Sequence, residues 1–519
     1  MIKIRFAIFS VLAVLAALAV AGCGGSSSNS SSSGPASLAA PGSVVFVEGN
    51  LRPTGELKSN VNSVASKIAG IGSLGSFIVS EIESSASSEG EPVDFATEVE
   101  PWLGKVAGVA FSHLEGGELS EPLIAIQTTN AKATQEFIDK QAKGGKSPYK
   151  DFSYEGVDFK VGGAEGNAIG VIGEWLVIAD GEKAFKAAVE ASNGDSLGGE
   201  DRFQTAIDAA SNGSIADVYV DVGGLIEQSG NKIAPQAEEI LQSSGIDPSE
   251  ATAVASVIPG SEEIEVDLSS DLGGEKAPSG DVSKLLGSLP GGSFAAFAAS
   301  GFSEQLEEAV DNLDAVGIPP ELPPHKLKST LSQAGIDLDK IAASLEDAAV
   351  FAEGSSRSNL GGALVVTSSS SEAAEAIAGL GTLLRGAKVP GVTAVSGQAS
   401  GFSVHAPTLG SKPIVVVARG KRIAIGYGLA SALRGLTGSG VTLSETIAYK
   451  DAVTALGKTP ISAFVDRSEA LSLAESLVPR SKKGFWEAVP YLKKIAFLAL
   501  GTGANGELAT AKLIAGLEK

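Results

Sequence analysis

The sequence predicts an α+β protein: two tandem copies of a mixed, largely antiparallel sheet-plus-helices unit, placed after a signal peptide and a disordered tether. Two observations support this class. Short apolar runs typical of buried strands alternate with amphipathic helical segments along the chain. The same succession then recurs in the second half, at an offset of between about 241 and 248 residues. Chance similarity between Ala- and Gly-rich segments is the alternative, but it would not keep register over so many elements.

The N-terminus has the pattern of an export signal. Lys3 and Arg5 precede an uncharged apolar stretch from Phe6 to Ala21. This stretch is short for a membrane span, which needs roughly 20 apolar residues. It ends in Val20-Ala21-Gly22-Cys23, which resembles the bacterial lipobox, in which the cysteine receives a lipid before cleavage. We therefore expect residues 1–22 to be a lipoprotein signal peptide and Cys23 to be lipidated, on the extracytoplasmic face of the cell membrane. An ordinary secretory signal cleaved near Ala21 is the alternative.

Residues 23–40 are predicted to form a flexible Ser/Gly tether after the lipidated cysteine. Seven of the eight residues from Ser26 to Ser33 are serine. A segment of this composition buries too little apolar surface to fold, so it is typical of a linker.

Composition excludes several classes of function. The formal net charge is −22, and removal of Lys3 and Arg5 with the signal would make it −24. This acidic balance disfavours nucleic-acid binding and wide electrostatic docking on anionic lipid. Cys23 is the only cysteine, so disulfides, thiolate nucleophiles and cysteine zinc sites are excluded. The predicted partners are the membrane, through the N-terminal lipid, and an envelope protein or an apolar ligand, but no nucleic acid.

The body divides into copy 1 at residues 41–270, a Gly-, Ser- and Pro-rich linker at 271–280, and copy 2 at 281–519. In each copy an apolar strand follows a Pro-Gly turn, and further strands and helices come in matching order. The strands predicted for copy 1 lie at 44–47, 106–111, 123–128, 159–161, 175–179, 218–221, 253–258 and 264–268. Those predicted for copy 2 lie at 294–299, 348–352, 363–367, 402–405, 414–418, 422–425, 463–466, 495–500 and 508–514.

Helices are predicted between these strands from apolar spacing and capping residues. Copy 1 has an amphipathic helix with Leu57, Val61 and Val64 on one face, and copy 2 has a counterpart at 306–316. Asn130 is predicted to cap the next helix of copy 1, and Ser369 with Glu372 to form a capping box in copy 2. Later helices are predicted at 182–191, 203–210, 429–436 and 449–456.

A family resemblance rests on two segments of copy 1. They are Asp94-Phe95 through Glu100-Pro101-Trp102-Leu103-Gly104, and Glu48-Gly49-Asn50-Leu51-Arg52-Pro53. The chain from Pro41 to the C-terminus resembles the domain-of-unknown-function family number three-three-five-two, bacterial extracytoplasmic proteins many of which are lipoproteins. Copy 2 departs from the pattern, since it lacks Pro-Trp-Leu-Gly and keeps only Leu345. The resemblance implies no reaction and therefore no catalytic residue.

Trp102 itself is interpreted as a helix-to-strand corner packed on the core. Its alternative role is stacking on a ligand.

Residues able to carry catalysis or bind metal are few. His113, His325 and His405 are widely separated and show no metal-ligand spacing. Asp337 and Asp339 are consistent with a calcium site, although a helix cap is the favoured interpretation. We predict no catalytic residue, no cofactor and no metal.

Two glycine-rich motifs and one serine motif each depart from the functional pattern that they resemble. Gly70-Ile71-Gly72-Ser73-Leu74-Gly75 fits G-x-G-x-x-G but follows a helix rather than a strand. Gly144-Gly145-Lys146-Ser147 resembles a phosphate loop, yet Lys140 occupies the position of its first glycine. The segment Gly291-Gly292-Ser293-Phe294-Ala295 lacks the last glycine of a nucleophile elbow.

These observations favour a membrane-anchored extracytoplasmic lipoprotein with a non-catalytic binding or scaffolding role. The alternative is a carrier of a lipid or other apolar ligand in a cavity between sheet and helices. An extracytoplasmic hydrolase is the third hypothesis, and the residues favour it least.

Overall fold

A computed structural model describes most of the body of the chain. The described residues are 34–69, 93–144, 148–162, 166–229, 249–272, 280–301, 337–386, 391–395, 399–405, 411–438 and 440–518, with single positions at 79, 303, 332, 388 and 397. The predicted signal peptide and Cys23 lie outside them. So do the G-x-G-x-x-G segment, the copy 2 helix at 306–316, His325 and most of the linker.

The chain forms two compact units. Unit 1 comprises the residues up to Ala277 together with Ala504–Leu517, and unit 2 comprises Pro278–Gly503 with Glu518. Both combine helices with antiparallel strands, so the α+β class is confirmed.

In unit 1 the first strand lies in the middle of the sheet because apolar side chains cover both of its faces. The strands are β1 (Val45–Asn50), β2 (Leu103–Glu115), β3 (Glu118–Thr128), β4 (Tyr149–Tyr154), β5 (Val157–Gly162), β6 (Asn167–Ile172), β7 (Trp175–Ala179), β8 (Ala216–Asp221), β9 (Thr252–Pro259), β10 (Glu263–Asp271) and β20 (Leu508–Leu517). They pair antiparallel in the order β4-β5-β6-β7-β3-β2-β1-β8-β9-β10-β20.

The helices of unit 1 close both faces of this sheet. They are α1 (Gly55–Ala69), α2 (Ala131–Gly144), α3 (Gly181–Asn193), α4 (Asp201–Asp208) and α5 (Val222–Ser229). Phe46 of β1 packs edge-on against Phe203 of α4, which in turn contacts Tyr219 of β8. Val64 of α1 packs on the strands at the other end of the sheet, against Val257.

Unit 2 is built around a further set of antiparallel strands. Its strands are β11 (Ser293–Ala299), β12 (Leu345–Glu353), β13 (Gly361–Ser368), β14 (Val392–Val395), β15 (Ser400–Val404), β16 (Ile414–Arg419), β17 (Arg422–Tyr427), β18 (Ile461–Asp466) and β19 (Ile495–Asn505). They pair in the order β14-β15-β16-β17-β13-β12-β11-β18-β19. Counted from its own first strand, each unit therefore has the order 4-5-6-7-3-2-1-8-9. The predicted duplication remains a prediction, which this common order supports.

The helices of unit 2 follow the same alternation with strands. They are α6 (Ser283–Gly287), α7 (Leu338–Ser344), α8 (Glu372–Gly386), α9 (Leu429–Thr437), α10 (Ile447–Leu456), α11 (Arg467–Leu477) and α12 (Lys483–Leu492). Tyr449 of α10 packs edge-on against Phe464 of β18 inside this unit. Within the described ranges, no helix is both long enough and apolar enough to cross a bilayer.

The first ordered segment corrects the predicted extent of the tether. Pro35–Leu38 form a 3₁₀ turn, and the side chains of Ala36, Leu38 and Ala39 are buried in the core of unit 1. The predicted tether of residues 23–40 is therefore wrong for its last residues. The serine tract ends at Ser33. The apolar residues after it bury enough surface to offset the conformational entropy lost when they become ordered.

Two local predictions are confirmed and one is wrong. The hairpin through Pro259-Gly260 forms between β9 and β10, and the Asn130 carboxamide oxygen accepts a hydrogen bond from Ala133 N at 3.1 Å. The capping box of Ser369 and Glu372 does not form, because Glu372 is already the first residue of α8. The Ser369 hydroxyl instead donates to Ser344 O at 3.1 Å.

Candidate functional site

A row of polar side chains crosses four adjacent strands inside unit 1. Asp217 of β8 lies opposite Ser256 of β9, Ser256 opposite Asp267 of β10, and Asp267 opposite Lys512 of β20. Directly opposite residues point to the same face of a sheet, so their side chains meet. With three neighbours they form what we call the polar row, comprising Ser211, Ser214, Asp217, Ser256, Glu265, Asp267 and Lys512.

Asp217 is the most deeply placed carboxylate of the polar row, and only 6% of it is exposed. It accepts hydrogen bonds from the Ser256 hydroxyl at 2.6 Å and the Ser214 hydroxyl at 3.0 Å. Burial raises the pKa of the Asp217 carboxyl, and the two hydroxyl donors offset part of that rise. Glu48, from the segment that carries the family resemblance, lies opposite Asp217 on β1 and is also buried.

The other end of the row is an ion cluster. The Ser211 hydroxyl donates to Asp267 Oδ2 at 2.6 Å, while Lys512 Nζ pairs with Glu265 and lies 3.4 Å from Asp267 Oδ1. Burial disfavours the charged lysine, yet the two carboxylates outweigh it and the pKa of Lys512 is raised. Burial also raises the pKa of Glu265, and the hydrogen bond from Lys512 offsets part of this effect.

This arrangement argues against nucleophilic catalysis by the row. A serine nucleophile needs a neutral base beside it, and a lysine whose pKa is raised keeps its proton at neutral pH. The serine hydroxyls already donate to carboxylates, those of Ser214 and Ser256 to Asp217 and that of Ser211 to Asp267. The row therefore joins strands β8, β9, β10 and β20 through their side chains as well as their backbones.

A second polar site is an open groove of about 560 Å³ at the beginning of α2. It is lined by Lys105, Gln127, Thr128, Thr129, Ala131, Gly173 and Glu174. Lys105 N donates to the Gln127 side-chain oxygen at 3.0 Å. Lys105, Thr129 and Glu174 place polar groups along the groove beside apolar surface, so its lining does not select between a hydrophilic and an apolar ligand.

Trp102 lies beside this groove but not in it. Only 2% of the residue is exposed, its indole N–H donates to Glu98 O at 2.6 Å, and its ring contacts Phe137 with centroids 5.4 Å apart. The interpretation as a packed corner is confirmed, and ligand stacking is wrong because the ring is buried. A Cβ at Gly104 would lie 2.7 Å from Gln127 Cβ, so the Trp-Leu-Gly sequence needs its glycine at that close approach.

The remaining predicted candidates are not brought together. His113 is exposed beside Glu121, with 3.3 Å between Nδ1 and Oε2, and His405 is exposed in unit 2. Asp337 caps α7 by accepting from Lys340 N at 3.2 Å, which confirms the cap interpretation. Among the residues with described positions, no group of three or more His, Cys, Asp or Glu could hold a metal ion.

Sequence reasoning did not find the polar row. Its members are single polar residues within apolar strands, at positions 217, 256, 267 and 512, and each looks like an ordinary member of an alternating pattern. The strand register, which brings them into one line, depends on pairings between segments far apart in the chain.

None of the curated proteins matches this chain. One matching solved structure, described as "Structure of crystal form I of TP0453", has 12% sequence identity and covers 47% of this chain and 80% of its own. Its TM-score is 0.24, too low to carry an argument about fold or function. The model of a family of proteins of unknown function, DUF3352, matches residues 79–451, and this match confirms the resemblance inferred from the segment around Trp102. The chain therefore belongs to the DUF3352 family of proteins of unknown function.

Proposed function

We propose that the protein is a lipid-anchored extracytoplasmic protein, held at the cell membrane through Cys23, whose folded body binds or scaffolds a partner without catalysing a reaction. The observation that carries the anchor is the sequence Val20-Ala21-Gly22-Cys23 after a basic start and an apolar stretch. Acyl chains contribute about 0.8 kcal/mol per buried methylene, so several chains together hold a protein firmly.

The start of the folded body supports a position close to the bilayer. Pro35, at the first ordered turn, comes twelve residues after Cys23. Twelve residues of chain reach at most about 40 Å. The anchored body would thus remain within roughly its own diameter of the lipid surface.

The interior chemistry of unit 1 supports a non-catalytic role. In the polar row the carboxylates accept from hydroxyls or pair with Lys512, and Lys512 keeps its proton. Such groups stabilise strands rather than transfer protons to a substrate.

The anchor is tested by metabolic labelling with an alkyne analogue of palmitate in a bacterial host. Wild-type protein should be labelled and should fractionate with membranes, whereas Cys23→Ser should lose both properties because serine cannot form the thioether. Ser28→Ala, a change in the serine tract beyond the cysteine, is the matched control and should behave as wild type. Equal label in Cys23→Ser and wild type, or no label in either, would overturn the anchor.

A second candidate function, carriage of an apolar ligand, is favoured by one feature of unit 2. Phe297, Val350, Leu364 and Ile425 lie opposite one another on β11, β12, β13 and β17. Phe297 is 48% exposed, Val350 47% and Ile425 38%, so this cross-strand row presents apolar surface to the outside. An apolar molecule on it would remove that surface from water.

The two functions are separated by what the protein retains from envelope extract. A binding or scaffolding role predicts capture of a defined protein or glycan by the full-length protein. A carrier predicts an apolar adduct in native mass spectrometry, reduced in Phe297→Ser but retained in Leu383→Ser, an exposed leucine on α8. A protein that is recovered from the extract without any bound component counts against both proposed functions.

A further inference from the structure

We propose that one surface of unit 2, formed by residues 477–494, docks on a bilayer of anionic phospholipid. We call it the α12 surface, since α12 and the turn before it provide most of its residues. The proposal goes beyond the anchor: it assigns a second, folded contact with lipid, and it holds whether or not Cys23 carries an acyl chain.

The α12 surface is basic in an acidic protein. Arg480, Lys482, Lys483, Lys493 and Lys494 lie within it, and Glu487 is its only acidic residue, although the whole chain has a net charge of −22. All five basic residues are exposed. This concentration of positive charge is the electrostatic complement of lipid phosphates.

Three of these lysines are available to an outside partner. Lys493 pairs with Glu475 of α11 at 3.2 Å, and the Arg480 guanidinium lies over the Trp486 ring, 3.6 Å from its centroid. Lys482, Lys483 and Lys494 have no ion-pair partner among the described residues. No carboxylate among the described residues therefore neutralises their charges.

The same surface exposes apolar and aromatic side chains between the cations. Tyr491 is 55% exposed and Leu477 is 48% exposed. Trp486 is half-buried, contacts Phe485 with ring centroids 5.2 Å apart, and donates its indole N–H to Pro479 O at 3.1 Å. Tyrosine and tryptophan, with an apolar ring and a polar end, are enriched where a protein meets lipid headgroups.

An open groove of about 630 Å³ runs along this surface. Its walls are Leu477, Val478, Pro479, Ser481, Lys482, Lys483, Gly484 and Phe485. Lysines and apolar residues line the same groove, so it can meet both the phosphate and the acyl chains of a phospholipid. This combination, together with the aromatic residues, favours a lipid surface over nucleic acid, which needs cations but no apolar lining.

The negative charge of the whole protein does not prevent such docking. At physiological ionic strength charges are screened beyond about 8 Å, so an approaching bilayer interacts mainly with the side chains that face it. On the α12 surface those side chains carry five positive charges and one negative charge.

The proposal is tested on a body of residues 34–519, which keeps every described element and lacks the signal, Cys23 and the serine tract. Flotation with vesicles of phosphatidylcholine containing 40% phosphatidylglycerol should recover the body, and vesicles of phosphatidylcholine alone should not. Each basic residue near an anionic surface strengthens binding about fivefold. The variant Lys482→Gln/Lys483→Gln/Lys494→Gln should therefore bind about a hundredfold more weakly.

The matched control removes the same charge elsewhere in unit 2. Lys284→Gln/Lys421→Gln/Lys458→Gln changes three exposed lysines outside the α12 surface and should bind within about twofold of wild type. Circular dichroism and thermal unfolding of both triple variants show whether they are folded. Tyr491→Ser removes an exposed aromatic ring without a change of charge, and it should also weaken vesicle binding.

Tryptophan fluorescence provides an independent signature. Trp102 and Trp175 are 2% and 6% exposed, so acrylamide reports chiefly on Trp486. Anionic vesicles should protect Trp486 from acrylamide, and lipids brominated on the acyl chain should quench it.

The proposal is overturned if the body binds both kinds of vesicle equally or neither, or if the two triple variants bind alike. It is also overturned if the body binds a single-stranded oligonucleotide through the same lysines and ignores vesicles, since the surface would then serve nucleic acid. Because the body has no Cys23, failure here leaves the anchor intact, and failure of acyl labelling leaves this result intact.

Discussion

At the scale of the single residue, Asp217 shows how a buried carboxylate is kept in an apolar sheet. Moving a carboxylate out of water without hydrogen-bond donors or a counter-charge is strongly destabilising. Two hydroxyls donate to it, from Ser214 and Ser256, and Ser256 Oγ in turn accepts from Ser211 N at 2.9 Å. Because burial still raises the pKa of Asp217, its protonation couples to folding.

This coupling predicts a pH dependence. A carboxyl whose pKa is raised in the folded state holds its proton more tightly in the folded than in the unfolded chain. Its contribution to stability therefore falls as the pH rises from the unfolded pKa, about 3.9, through the raised folded pKa. Asp217→Asn does not titrate. In urea unfolding, the free energy of unfolding of the variant should lie within about 1 kcal/mol of the wild-type value near pH 4. The variant should become more stable relative to wild type as the pH is raised to 7.

Asp208→Asn is the control for that experiment, since Asp208 is exposed at the end of α4. A difference for Asp217→Asn that changes with pH no more than that of Asp208→Asn would mean that the buried carboxyl does not couple to folding.

At the scale of the element, patterns confined to one segment were predictable. The strand runs, the hairpin through Pro259-Gly260, the cap at Asn130 and the buried corner at Trp102 all follow from neighbours within a few residues. Propensity, capping and turn chemistry act over that distance, so sequence alone carries them.

Features that depend on distant segments were not predictable. The turn Pro35–Leu38 is short and gains its order only from the core that buries Leu38. The polar row arises only when β8, β9, β10 and β20 come into register. Strands β4 and β6 were missed too, although they are local: β4 pairs with β5 across the turn at 155–156, and β6 pairs with β5 and β7.

At the scale of the whole molecule, the division into units does not follow chain order. The last strand, β20, belongs with unit 1, where it pairs antiparallel with β10 and brings Lys512 to Glu265 and Asp267. Unit 1 thus combines residues up to Ala277 with a strand that comes after most of unit 2 in the chain.

This arrangement predicts that a truncation at the C-terminus destabilises the N-terminal unit. Removal of residues 506–519 leaves β10 paired with β9 alone, and it leaves Glu265 and Asp267 without their cation. Removing one partner of a fully buried ion pair costs about 3–5 kcal/mol. The Lys512–Glu265 pair is partly exposed, so we expect a smaller loss of about 1–3 kcal/mol. Lys512→Gln, which keeps the strand, should therefore lower the stability of unit 1 by an amount of that order, and the truncation by more.

The measurement uses the positions of the tryptophans. Trp102 and Trp175 are buried in unit 1 and Trp486 lies in unit 2, so a Trp486→Phe background makes urea unfolding by fluorescence report on unit 1 alone. Because the truncation also removes Glu518, the partner of Arg467 in unit 2, Glu518→Gln is the control and should leave the unit 1 transition unchanged. An unchanged transition in the truncated chain would show that β20 contributes nothing to unit 1, and that the sheet of this unit ends at β10.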